Sequence, residues 1–221
     1  MNNKPKRWSY SSLTTYESCP AKWKYSYLDN LPYKPSAAMV RGSRLHADCE
    51  NFIKGNIPAL PWELNKVTRS IMEMMSKGAK SEETWLLDRY WNPVVPGVEP
   101  WIKSIVDVHW VEGNVLQVRD FKSGREYPDH REQLELYAIK GLCMFPDVNR
   151  AEYGAVYLDT GHTSNEGAVL RGTMLDNKRD LWHGRAIKLF EDTTYKATPS
   201  PQSCKWCDYS AKKGGPCAEG V

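Results

Sequence analysis

Two runs of branched and aromatic residues, WIKSIVDVHWV (101–111) and VLQVRDFK (115–122), stand on either side of EGN. Such runs, split by the glycine-led pair Gly113-Asn114, read as a β-hairpin. This feature constrains the chain most, because a turn fixes register and register decides which residues meet. With the turn centred on Gly113-Asn114, opposed residues carry numbers that sum to 227, so Asp107 falls opposite Asp120. Cross-strand Cβ atoms lie about 5 Å apart, and like charges there repel. A divalent cation between the two carboxylates removes that penalty. Lys122, two residues beyond Asp120, shares its face. Mg²⁺ takes carboxylate oxygens and keeps several waters. Bound beside a scissile phosphate, such an ion activates water, and a nearby lysine steadies the charge that develops. The same three residues also fit an exposed Asp–Lys pair worth little. The hairpin alone leaves both readings open, and a one-residue slip of register would separate the acids.

The rest of the pattern gives the hairpin a setting. SYSSLTTYESCPAKWKYSYL reads as two short helical pieces broken before Pro20. RGSRLHADCENFIKG reads as a helix ending near Gly55, and PWELNKVTRSIMEMMSKG as another between Pro61 and Gly78. ETWLLDRYW, AEYGAVYLDT and GAVLRGTML read as further strands. DHREQLELYAIKGLCMF returns to helix, with Asp129 as N-cap and Glu132 three residues on. DNKRDLWHGRAIKLFED is a last amphipathic helix. Helices, then strands, then a helix inside the strand region predict an α/β fold: a mixed central sheet flanked by helices.

Charge is unevenly spread. Residues 1–45 carry +6, residues 46–170 carry −6 and residues 171–221 carry +3. An acidic middle between basic ends suits a cation site flanked by a phosphate-binding surface, although such imbalances also arise by chance. No apolar run is long enough to span a bilayer, and MNNKPKRWSY has no apolar secretory core. The expectation is a cytoplasmic protein without a membrane partner. In a reducing compartment, clustered cysteines suggest metal ligation rather than disulfides.

Further candidates follow. His46 and Glu50 sit four apart, on one helical face. An imidazole there would add nitrogen to a Mg²⁺ or Mn²⁺ site, manganese tolerating it better. A lone histidine is more often solvated or satisfied in a core. Gly42, just before it, permits close approach of a backbone or a nucleic acid strand. Tyr10, Tyr16, Trp23, Tyr25, Tyr27 and Tyr33 alternate with Lys22, Lys24 and Lys34. That mix suits single-stranded DNA, or else packs and solubilises a domain.

Taken in order, SYSSLTTYESCPAKWKY, RGSRLHADCE, SIVDVHW, VRDFKSG, QLELYA and CKWCDYSAKKGGPC resemble the PD-(D/E)XK nuclease superfamily. The likeness is to its RecB-like branch, including CRISPR-associated RecB-like exonucleases and the AddB nuclease domain. The resemblance implies a DNA exonuclease using Mg²⁺ or Mn²⁺ in recombination, repair or phage or CRISPR-type DNA processing. Its setting would be a bacterial, archaeal or phage-infected cell, with a recombination or spacer-acquisition protein as a possible partner. His46, Asp107 and Asp120 would be metal ligands, completed by the Phe121 carbonyl. Lys122 would be the catalytic lysine, and Gln133 and Tyr137 would sit beside the active site. Gln133 and Tyr137 also fit a simple helix packing face. Asp120 stands where many relatives carry Glu.

In iron–sulfur relatives one N-terminal and three C-terminal cysteines bind a 4Fe-4S cluster, which implies that role for Cys19, Cys204, Cys207 and Cys217. The gap before Cys217 is longer than the family's usual one. A zinc site from the same cysteines, or no metal, are the alternatives. Cys49 and Cys143 read as small helix residues. The implied organisation is one nuclease domain over 1–221, with 1–35 and 194–221 forming a cysteine-cluster subdomain and 36–193 the core. Alternative functions are a non-catalytic iron–sulfur DNA-binding adaptor and a structure-specific DNA endonuclease.

Overall fold

The computed structural model describes residues 4–95, 97–125 and 130–220. In chain order they form α1 (Tyr10–Ser18), α2 (Pro20–Trp23), α3 (Ala37–Ile53) and α4 (Thr68–Ser76). Strands β1 (Lys80–Leu87), β2 (Ile102–Glu112) and β3 (Val115–Lys122) follow, then α5 (His130–Met144), β4 (Arg150–Tyr157) and β5 (Gly167–Leu170). Helices α6 (Thr173–Glu191) and α7 (Pro201–Lys205) close the order. The chain divides into two compact units: Ser36–Arg179, and Met1–Pro35 with Asp180–Val221. Among the described residues, no helix is long and apolar enough to cross a membrane.

The larger unit is built on a five-stranded sheet in the order β1-β2-β3-β4-β5. Its pairs are antiparallel except β3–β4. A parallel pair needs a crossover, and α5 supplies it. The mixed sheet flanked by helices is the expected α/β architecture. Under α3 and α4 lies a core of Leu45, Cys49, Leu64, Ile71, Val108, Phe121 and Val156. Helix α5 lies close to the sheet: a Cβ added to Gly141 would come within 2.3 Å of Leu116 and 3.2 Å of the Trp85 ring. The Arg171 guanidinium caps that helix's C-terminal end, donating to the carbonyls of Leu142, Phe145 and Val148.

Several boundaries differ from expectation. Helix α3 starts at Ala37, because the Ser36 hydroxyl accepts the Met39 N–H and caps it. The stretch after Pro61 opens as a 3₁₀ turn, Trp62–Val67, before α4 begins. Strand β1 stops at Leu87 because Asp88 turns the chain, its Oδ1 accepting the N–H groups of Tyr90 and Asn92 at 2.8 Å. Strand β5 covers only Gly167–Leu170, and α6 begins at Thr173. Asp129, the expected cap of α5, lies outside the described residues.

In the smaller unit α1 and α2 meet at Cys19–Pro20 as expected, with the Ser9 hydroxyl capping α1. Trp23 is a core residue, not an exposed stacking platform. It is 2% exposed, donates to the Ser12 hydroxyl and stacks between Tyr27 and Tyr195. Tyr16 is tied to Asp192 at 3.0 Å, and burial, then Asp192, pushes its phenol up to about 12. Tyr10 meets Trp182 edge-on and Tyr25 leans on Tyr209. Of the six aromatics, Tyr27 and Tyr33 remain exposed. Lys24 is paired with Asp29 at 2.6 Å.

Candidate metal centre

The β2–β3 register runs Glu112↔Val115 to Val108↔Arg119, each pair summing to 227 as expected. Asp107 and Asp120 are the next positions along. Both are buried, Asp107 at 8% and Asp120 at 3% exposure. Asp107 Oδ2 accepts the Phe121 N–H at 2.7 Å and lies 3.3 Å from His46 Nδ1. Burial works against a charge on His46. The bond to Asp107 and the charges of Asp107 and Asp120 outweigh it and raise the imidazole above its ordinary value. Burial, then the Asp107 carboxylate, pushes Asp120 up to about 6, against the pull of Lys122. The Lys122 ammonium stands 2.7 Å from Asp120 Oδ2.

Helix α5 completes the arrangement. Lys122 Nζ donates to Gln133 Oε1 at 2.9 Å, and Gln133 Nε2 donates to the Tyr137 hydroxyl at 2.9 Å. Gln133 and Tyr137 face one way because they are four apart on a helix. Burial, then Asp120 and Asp107, raises the Tyr137 phenol well above its usual range, so it stays neutral. Gln133 therefore touches the lysine, and Tyr137 is linked to it through Gln133.

Glu82 was not among the expected site residues. One donor atom each from His46, Glu82 and Asp107 lies within 4.8 Å of the others. Burial, then Asp107 and Glu50, raises the Glu82 carboxyl. Its backbone has φ +52°, the left-handed region that costs a non-glycine residue energy. This kink breaks the strand's alternation. Ser81 pairs with Val108, which belongs to the core beneath α3 and α4. Trp85 shares Ser81's parity, yet lies against α5. The inversion between them turns Glu82 towards His46 and Asp107. A backbone sign change is invisible in SEET, and Glu82 lies one residue before the strand read as ETWLLDRYW. Glu50, the expected neighbour of His46, is paired with Lys54 at 2.5 Å.

Around this centre the end of β3 is clamped. Leu158 N–H donates to the Lys122 carbonyl at 2.8 Å, and Gly124 N–H donates to Asp159 Oδ2 at 2.6 Å. Arg41 of α3 grips both oxygens of Asp159, and its Nε donates to Glu63 at 2.8 Å. Gly42 admits Ser123, whose hydroxyl would lie 3.0 Å from an added Cβ. The close approach expected at Gly42 is made by a side chain of the same chain, the Ser123 hydroxyl, rather than by a backbone.

In the smaller unit Cys19, Cys204, Cys207 and Cys217 line one pocket, with Lys22 and Tyr25. The nine-residue gap before Cys217 folds back. Cys217 N–H donates to the Tyr209 carbonyl at 2.9 Å, and Ala211 N–H donates to the Cys217 carbonyl at 3.0 Å. Gly215 permits this, since an added Cβ would fall 2.3 Å from the Tyr209 backbone. Among the described residues, no three of these sulfurs lie within 4.8 Å of one another. Cys49 is core, its thiol pushed by burial up to about 12, and Cys143 is half-buried, its thiol raised to about 11.

The donor set suits a hard divalent cation: carboxylates for magnesium, with an imidazole that manganese accepts more readily. No curated protein matches the chain. A solved structure described as "Crystal structure of SSO0001" is 18% identical, with a TM-score of 0.48, over 99% of this chain and 89% of that one. The family model of the PD-(D/E)XK nuclease superfamily matches residues 7–96 and 102–211. With its mixed sheet and acid-lined centre, this chain belongs to the PD-(D/E)XK nuclease superfamily.

Proposed function

We propose that this protein is a divalent-metal-dependent DNA exonuclease of the RecB-like type, acting on DNA ends or single strands. Its setting is recombination, repair or phage or CRISPR-type DNA processing, in a cytoplasm, beside a recombination or spacer-acquisition partner. The observation that carries the reading is Glu82 held in a left-handed backbone with its donors gathered beside His46 and Asp107. Backbone strain of this kind clusters at functional sites, and here it coincides with a metal-donor group. His46, Glu82, Asp107 and Asp120 would hold the cation, with the Phe121 carbonyl. A bound Mg²⁺ or Mn²⁺ supplies Lewis acidity at the scissile phosphate and lowers the pKa of water.

The chain's own groups do the rest. The Lys122 ammonium has three N–H donors and touches two oxygens, Asp120 Oδ2 and Gln133 Oε1. The third donor is left to orient the attacking water or to steady a phosphate oxygen. Gln133 and Tyr137 hold that ammonium in place. With its carboxyl raised to about 6, Asp120 loses charge as pH falls through that value, and with it one cation ligand.

The test is an assay on end-labelled linear DNA, single- and double-stranded, and on closed circles, with Mg²⁺, Mn²⁺ or EDTA. The expected result is metal-dependent loss of the linear strands from their ends, with circles intact. Cutting of circles would assign an endonuclease. Binding without cutting under every metal would favour the non-catalytic adaptor.

The four thiols fit a 4Fe-4S cluster joining the chain's N- and C-terminal segments over residues 1–35 and 194–221. Four cysteines are the ligand set such clusters take. A zinc tetrahedron on ~2.3 Å bonds needs sulfurs about 3.8 Å apart, closer than any three here. Bound, the cluster supplies a structural tie and no hydrolytic chemistry. Anaerobically purified protein is expected to be brown, with close to four irons per chain. Colourless, iron-free protein would remove the cluster.

A further inference from the structure

An open cavity of about 460 Å³ lies along β1. Five consecutive residues of that strand, Lys80 to Thr84, form one wall, and Ile53, Lys54 and Ala79 close the others. We propose that this cavity binds a single deoxynucleoside monophosphate, the terminal nucleotide of a strand and the product of its removal. The inference rests on the nuclease reading above and names where one end of the substrate sits.

Three observations carry it. Glu82 belongs both to the cavity wall and to the donor cluster with His46 and Asp107. A phosphate in the cavity therefore adjoins the metal donors. Lys54 and Lys80 bring two exposed ammonium groups to the cavity from different walls, complementary to a phosphate monoester. Lys54 is paired with Glu50 at 2.5 Å, a partner that an incoming dianion would compete with. Ile53 and Ala79 offer an apolar surface for a sugar or base. Because β1 is the outermost strand, the outward N–H and C=O groups of its cavity-lining residues, Lys80 to Thr84, face no neighbouring strand among the described residues and can read a nucleotide's polar edge. The volume falls within the roughly 300–1,000 Å³ that encloses a small ligand. It is too small for a stretch of duplex.

The experiment titrates the full-length protein with dAMP, dTMP and inorganic phosphate in Mg²⁺, by calorimetry. Both nucleotides are expected to bind at least tenfold more tightly than phosphate. The double variant Lys54→Glu/Lys80→Glu is expected to weaken them at least tenfold. Thr84→Trp, which fills the cavity from an exposed position, is expected to weaken them as well, and both variants are checked for an unchanged melting midpoint. Nucleotides binding no better than phosphate, or equally well to Thr84→Trp, would overturn the inference. Cleavage of DNA without such binding sinks the cavity and leaves the nuclease reading standing. Lysine-dependent nucleotide binding in a protein that never cuts DNA sinks the nuclease reading and keeps the cavity.

Discussion

Lys122→Ala is expected to slow metal-dependent DNA cleavage by about 10²–10³-fold, the usual cost of losing one aimed donor. DNA affinity should change little, because a single ammonium is a minor part of a phosphate-tracking surface. Three consequences of the substitution compound. The attacking water or phosphate oxygen loses its donor. Gln133 Oε1 loses the N–H it accepts at 2.9 Å. Asp120, 3% exposed, loses the cation 2.7 Å away that opposes its burial. Its carboxyl, already raised to about 6, then rises further. The sign is clear: a carboxyl with a higher pKa is less ionised near neutrality, so the variant needs more metal at pH 7 than at pH 8.5. Raising the pH restores metal affinity but not the rate. Lys122→Arg should not rescue, since a planar guanidinium does not replace a compact ammonium held by two oxygens. Single-turnover cleavage against pH and Mn²⁺ concentration checks this. A Lys122→Ala rate within fivefold of the parent would refute the role.

Lys140→Met is expected to stabilise the protein. Lys140 is fully buried in α5, donates to the Ser104 hydroxyl and stands 5.9 Å from the Tyr137 ring centre. Burial lowers its pKa from 10.5 to about 7. Folding thus disfavours its charge. Between about pH 7 and 10.5 the unfolded chain binds a proton that the folded chain does not, so stability rises with pH across that window. Below about 7 both states are protonated and the full penalty applies, at most roughly 5 kcal/mol at 1.36 kcal/mol per unit. Methionine fills the same space without the charge but leaves Ser104 without its donor, which costs about 1 kcal/mol. The net gain should be about 1–3 kcal/mol at pH 6 and should shrink towards pH 10, as the cost of releasing the unfolded chain's proton falls. Urea unfolding at the two pH values measures it. A variant less stable at pH 6, or a gain independent of pH, would contradict the account.

The acid pair was legible because Gly113-Asn114 fixes the register by turn geometry, and period-two alternation then carries it to Asp107 and Asp120. The Gln133–Tyr137 face was legible from helical spacing alone. What spacing could not give was the contact of Gln133 with the Lys122 ammonium, because that contact depends on how closely α5 approaches the sheet. Glu82 escaped for a different reason: alternation rules assume an unbroken pleat, and only the folded backbone reveals the left-handed residue. Trp23 stayed open between DNA stacking and packing because a tryptophan among lysines reads the same whether it faces a base or Ser12 and Tyr195. The start of α3 was placed late because Ser36 was not weighed as a cap.

The kink at Glu82 has a second effect, on how copies of this protein meet one another. A sheet ends in two strands whose outer backbone groups can recruit a strand from another chain, the first step towards aggregation. Here one end is β5, only four residues long. The other is β1, eight residues long and rich in Thr, Trp and Leu, which as a straight ribbon would be an inviting template. The reversal at Glu82 breaks that ribbon near its start and sets Lys80, Glu82 and Glu83 along the break. The residue that turns a carboxylate towards the metal donors thereby also spoils the strand as a seed for self-association. A straighter β1 would trade colloidal solubility as well as cation binding.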